Sequence, residues 1–115
     1  MEVTVNDLIV SANEYLIQLK PGIQEFCDNI RSNTFQELSI IADICDGIGW
    51  IIEASALISK EREISLENDT TVLQDVLSDI TNALENRDYL FLADMLEYEV
   101  IPCIESIEGM IADFK

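Results

Sequence analysis

The chain contains no histidine, only six lysines and arginines, two prolines and four glycines. Each shortage removes a class of explanation. Without histidine there is no imidazole general base, no Ser-His or Cys-His nucleophile, and no Glu-x-x-His pair of the kind that binds iron inside helical bundles. The few glycines form no phosphate-cradling loop. Gly47 and Gly49 fall inside a helical pattern, with neither a preceding strand nor a following Lys-Ser/Thr, a setting in which glycine lets helices pack closely. No apolar run approaches the ~20 residues of a membrane span, and the start Met1-Glu2-Val3-Thr4 lacks the basic and apolar regions of a signal peptide. Cys27, Cys45 and Cys103 form no CxxC pair, and their odd number argues against a disulfide-stapled scaffold. These absences lead to the expectation of a soluble, cytoplasmic protein. Each cysteine falls on the apolar stripe of its helix and is expected to act as a small buried hydrophobe.

The scarcity of cations leaves 23 acids uncompensated and a formal charge of -17. Such a field repels phosphate backbones and anionic membrane surfaces, so neither nucleic acid nor membrane is expected as a partner. A basic protein partner, divalent cations or plain solubility are compatible with it. So is a mimic of nucleic acid, if surface carboxylates are regularly spaced.

What the chain has in abundance is helical periodicity. At 115 residues it has the length of a single domain spanning 1–115, with room for one core. Leu8, Ile9, Ala12, Leu16, Leu19, Ile23, Phe26, Cys27 and Ile30 recur at steps of three and four, the signature of one helix face, with Thr4 or Asn6 as cap. Thr34 and Glu37 form a capping box for a second helix carrying Leu38, Ile41, Ile44, Cys45, Ile48, Ile51, Ile52 and Ile58. The polar segment Ser59 to Asp69 reads as the one long connection. A third helix from Thr70 or Thr71 carries Leu73, Val76, Leu77, Ile80 and Leu84. Asp88 caps a fourth with Tyr89, Ala93, Leu96, Val100, Cys103, Ile107, Met110 and Phe114 at heptad-like steps. The first and last stripes run through Pro21 and Pro102 without losing phase, which predicts kinked but continuous helices. The sum is an all-α, antiparallel four-helix bundle. Short connections fix two hairpins, and up-down-up-down order is favoured over a parallel crossover.

Two sets of side chains are candidates for function. On a helical wheel Trp50 and Leu57 project away from the stripe of the second helix, and Leu90, Phe91, Tyr98 and Ile101 away from that of the fourth. Apolar groups rimmed by carboxylates are typical anchors of protein interfaces, and the alternative is that both helices are buried on more than one side. The other set is Asp43 with Asp46 and Asp94 with Glu97, whose spacing of three could serve Mg²⁺, as in helical nucleotide pyrophosphohydrolases. Asp43, Asp46 and Asp94 project outward on the wheel and Glu97 lies at the edge of the apolar stripe, which favours a solvated face. Glu99 borders Leu92 and Cys103 near the apolar seam and is expected to need a hydrogen-bond partner.

The runs Asp46-Gly47-Ile48-Gly49-Trp50-Ile51 and Asp88-Tyr89-Leu90-Phe91-Leu92-Ala93-Asp94-Met95-Leu96-Glu97-Tyr98-Glu99-Val100-Ile101-Pro102 resemble those of a group of small uncharacterised bacterial helical proteins with Gly-x-x-Trp and Ala-Asp-x-Leu-Glu-Tyr-Glu motifs. The resemblance implies a bacterial helical bundle and transfers no catalytic residue. In size, acidity and helix content the chain is also similar to small bacterial export chaperones, an analogy of fold class only. The expectation is a non-enzymatic interaction module without cofactor. It would bind itself, most simply as a homodimer, or a partner helix, with a Mg²⁺-dependent phosphohydrolase as the alternative.

Overall fold

A computed structural model describes residues 4–32 and 39–112. The Thr34–Glu37 capping box, Leu38 and Phe114 lie outside the described residues. Helix α1 spans Val5–Arg31, α2 Ser39–Arg62, α3 Glu67–Glu85 and α4 Tyr89–Met95. A π-helical turn, Leu96–Val100, then joins α4 to α5, Ile101–Ala112, so that the three make one last rod. No strand occurs among the described residues.

Capping chemistry explains where the rods begin. Thr4 accepts a hydrogen bond from the Asp7 N–H at 3.1 Å while the Asp7 carboxylate accepts from the Thr4 N–H at 3.3 Å. This reciprocal box satisfies two free donors of the first turn. Asp88 starts α4 in the simpler way, accepting from the Phe91 N–H at 3.2 Å.

The turns are tighter than the sequence suggests. The long connection expected over Ser59 to Asp69 is four residues, 63–66, because α2 runs on to Arg62 and α3 starts at Glu67. The charged residues there are the solvent face of a last helical turn, and no glycine marks its end. Glu63 takes the left-handed conformation instead (φ 54°), and the Ile64 N–H donates to the Ser59 carbonyl at 3.3 Å. Arg87 does the same after α3 (φ 54°), with the Asp88 N–H on the Ala83 carbonyl at 2.8 Å and its own N–H on that of Leu84 at 3.1 Å. Both closures are Schellman turns, which reverse the chain in a few residues. Leu66, fully buried in the first of them, pins the α2–α3 turn to the core.

Cross-links between the rods give their order and direction. Tyr15 and Trp50 join α1 to α2, and Arg62 donates to Asn6 at the far end of the same pair. The ion pairs Lys20–Glu105 (2.8 Å) and Arg31–Asp94 (2.7 Å) join α1 to the last rod, and Ser106 donates to Asp69 of α3 at 2.8 Å. Numbers rise on one partner as they fall on the other in both pairs made by α1, and the short turns at 63–66 and 86–88 reverse the chain on either side of α3, so neighbours are antiparallel and the order is up-down-up-down. Each helix packs on the next, and α1 packs on the last rod, which leaves α2 and the last rod on a diagonal. Leu16, Ile23 and Phe26 of α1 meet Ile48, Ile51 and Ile58 of α2, Leu73 and Ile80 of α3, and Leu92 and Leu96 in the centre. Each such side chain contributes about 1.5–3 kcal/mol by leaving water. Among the described residues no helix is long and apolar enough to cross a membrane.

The two prolines are handled differently. α1 continues uninterrupted through the exposed Pro21. The carbonyl that Pro21 cannot pair with is that of Ile17, itself an exposed residue, so water can satisfy it. Before Pro102 the rod widens: the Ile101 N–H donates to the carbonyl of Leu96, five residues back. The wide turn gives the pyrrolidine ring room against the preceding carbonyls, and its extra residue rotates everything downstream by about 100° relative to an unbroken α-helix. That rotation corrects two sequence expectations. Ile101, expected on the outer face, is only 7 % exposed and joins the core with Ile104 and Ile111, while Met110, expected inside, is exposed. Glu99, expected at the apolar seam, also points to solvent.

Candidate interaction surfaces

The first surface is the outer side of the α1–α2 pair. Gly47 is buried there because Tyr15 of α1 lies on it, and a Cβ at this position would overlap the phenol ring. Gly49 has open space instead and no such role. Seated on Gly47, Tyr15 meets Trp50 edge to face, with ring centroids 5.6 Å apart and planes at 73°. Such a pair holds both rings in place and is worth about 0.5–1.5 kcal/mol beyond area burial. Trp50 remains 37 % exposed and Leu57, two turns further on the same line, 55 %. A groove lined by Tyr15, Gln18, Leu19, Gly22, Ile40, Asp43 and Ile44 continues the surface toward the start of α2. Asp43 lines the groove with Tyr15, and Asp46 precedes the Gly47 on which the ring sits; burial, and then the charges of these two carboxylates, push the Tyr15 hydroxyl above its ordinary pKa.

The second surface is the outer side of the last rod. Leu90 is 63 % exposed, Phe91 44 % and Tyr98 70 %. Phe91 and Tyr98 are seven residues apart. Beside them Arg31 reaches across from α1 and pairs with Asp94 at 2.7 Å and Glu97 at 2.8 Å.

Those pairs bear on the carboxylates proposed for Mg²⁺. Asp94 and Glu97 are bound to Arg31 between α1 and the last rod, whereas Asp43 and Asp46 stand by Tyr15 between α1 and α2. The four are not brought together, and among the described residues no group of three or more His, Cys, Asp or Glu side chains is placed to share a metal ion. The cysteines offer no nucleophile of unusual reactivity. Cys27 is buried with its Sγ 3.4 Å from the Ala93 carbonyl, and desolvation pushes its pKa up to about 11. Cys103 is raised to about 11 by the same cause, with Asp69 adding to it, and the half-buried Cys45 is raised as well, by burial first and then by Asp46.

The wheel found the exposed rings but missed Tyr15, Ile40 and Gly22. The available signal was Tyr15 at the edge of the α1 stripe together with a glycine inside α2, one side chain and one seat. Nothing in either helix alone pairs them.

A family model described as "Domain of unknown function (DUF8042)" matches residues 7–110. No curated protein and no solved structure matches the chain.

Proposed function

The chain belongs to that family of unknown function, and from its surfaces we propose that it is a non-enzymatic, acidic protein–protein interaction module, acting by self-association or by holding a partner helix. The observation that carries the reading is the set of large apolar side chains left uncovered on diagonal helices, Trp50 and Leu57 on one and Leu90, Phe91 and Tyr98 on the other. Aromatic groups left partly in water and rimmed by carboxylates are what interface cores are made from. The two faces lie on rods diagonal in the bundle and are read as separate contact surfaces. The scattered placement of Asp43, Asp46, Asp94 and Glu97 weighs against the phosphohydrolase alternative.

The test is the mass in solution by light scattering for the parent chain, Leu57→Asp and Phe91→Asp, with phosphate release measured in Mg²⁺ and a nucleoside triphosphate. A parent dimer that either substitution dissolves supports self-association through that face. Phosphate release that depends on Mg²⁺ and disappears in Asp43→Asn/Asp46→Asn would overturn the reading.

A further inference from the structure

The two faces differ in charge as well as in shape. Among the described residues of α1 and α2 the cations are Lys20, Arg31, Lys60 and Arg62. Lys20 and Arg31 are turned to the last rod by their ion pairs, and Arg62 donates to Asn6 at the end of α2. From Ser39 to Ser59, α2 carries Asp43, Asp46 and Glu53 and no cation, and α1 before Lys20 carries Asp7 and Glu14 and none. Asp43 lines the groove itself. Over this stretch the α1–α2 surface combines an apolar floor with a negative wall, and the nearest cation of α2, the exposed Lys60, stands three residues beyond Leu57.

A second copy of this chain would bring a formal charge of -17 against that wall, and like charge across an interface opposes docking. A cationic helix has the opposite energetics. We infer that the α1–α2 surface, from the groove at Ile40 and Ile44 along the exposed line of α2 to Leu57, docks a basic amphipathic helix of another protein. The apolar side of that helix lies over Tyr15, Ile40, Trp50 and Leu57, and its lysines or arginines face Asp43, Asp46 and Glu53. The inference rests on the interaction-module reading and names the chemistry of the partner. From Ile40 to Leu57 the surface runs about 26 Å, the length of about 17 helical residues, enough for apolar anchors on four or five turns. The seated Tyr15–Trp50 pair is a preformed floor, and open space over Gly22 lets a partner's side chain reach the backbone of α1.

Trp50 is the only indole in the chain, so its emission reports this groove. The experiment titrates the full chain with an 18-residue Leu/Lys peptide of amphipathic helical pattern and with a scrambled peptide of the same composition. Supporting results are a saturable blue shift, affinity roughly tenfold tighter for the amphipathic peptide, and weakening as salt is raised. Asp43→Asn/Asp46→Asn is expected to weaken binding by about tenfold and Val72→Ser, at an exposed side chain of α3, to leave it unchanged. Equal binding of the scrambled peptide, or no effect of the Asp substitutions, overturns the inference. A dimer that shields Trp50 without peptide and dissolves in Leu57→Asp overturns it in favour of a second copy, and loss of binding in Phe91→Ser alone moves the site to the last rod. In these last two cases the interaction-module reading stands, since its own failure is read separately as metal-dependent phosphate release.

Discussion

On the α1–α2 side the exposed indole is held by a second ring that is itself seated on a glycine, and among the described residues no ion pair engages the carboxylates around it. On the last rod the rings of Phe91 and Tyr98 stand out from a convex helix, and the neighbouring Asp94 and Glu97 share the single positive charge of Arg31. The contrast separates two ways of presenting apolar surface. A groove with a fixed floor and an open charge selects a complementary helix, because little ordering remains to be done on binding and the charge screens partners at a distance. A convex ridge whose carboxylates are partly compensated by a neighbouring helix selects less by charge and depends more on what shape is brought to it.

The contrast breaks most completely if the last rod loses its register. Inserting one alanine after Ile104 rotates Ile107 and Ile111 out of the core and is expected to cost about 3 kcal/mol or more, given ~1.5–3 kcal/mol for each side chain returned to water. Deleting Tyr98 together with Pro102→Ala removes the extra residue of the π turn and its cause. That variant is expected to keep both flanking registers and to lose less than about 1.5 kcal/mol, a difference readable by urea melts. Equal losses in the two variants would show that the π turn does not set the register.

Alkaline pH is expected to cost stability through the thiols buried at the last rod, Cys27 against Ala93 and Cys103. The folded chain holds the Cys27 and Cys103 protons up to about pH 11, above the ordinary value of 9.0. The unfolded chain therefore releases them first, and the stability present below pH 9 is lost as pH rises toward 11. The loss is on the order of 2 kcal/mol per thiol. Urea melts of the parent against Cys27→Ala/Cys103→Ala isolate that slope. A double variant with the same slope as the parent would assign the alkaline loss to other groups.

The smallest effect sharpens the comparison directly. Trp50→Ala removes the edge-to-face partner of Tyr15 and is expected to cost about 1–2 kcal/mol, whereas Tyr98→Ala, at a side chain standing largely in water, is expected to cost less than about 0.5 kcal/mol. Thermal melts of the two variants decide it, and equal costs would mean that the Tyr15–Trp50 floor is not held.

Much of the fold could be read in advance. Apolar spacing located the core residues of α1, α2 and α3, Thr4 and Asp88 marked two starts, and the exposure of Trp50, Leu57, Leu90, Phe91 and Tyr98 followed from the wheel. The misreadings have specific causes. Ser59 to Asp69 looked like a loop because solvent-facing helical residues and loop residues share a composition, and the turn is closed by Glu63 in a conformation usually marked by glycine. Ile101 and Met110 changed places because a wheel assumes 3.6 residues per turn throughout, while the turn before Pro102 holds one residue more.

The sequence by itself determined the helices, the buried faces of α1, α2 and α3 and the acidic charge, because periodicity, caps and charge are local or additive properties. Tertiary structure decided what lies across from what. Tyr15 on Gly47, Arg31 between Asp94 and Glu97, and the diagonal of α2 and the last rod each pair residues distant along the chain. Such pairs arise only when rods of fixed length and turns of fixed reach bring separate faces into contact.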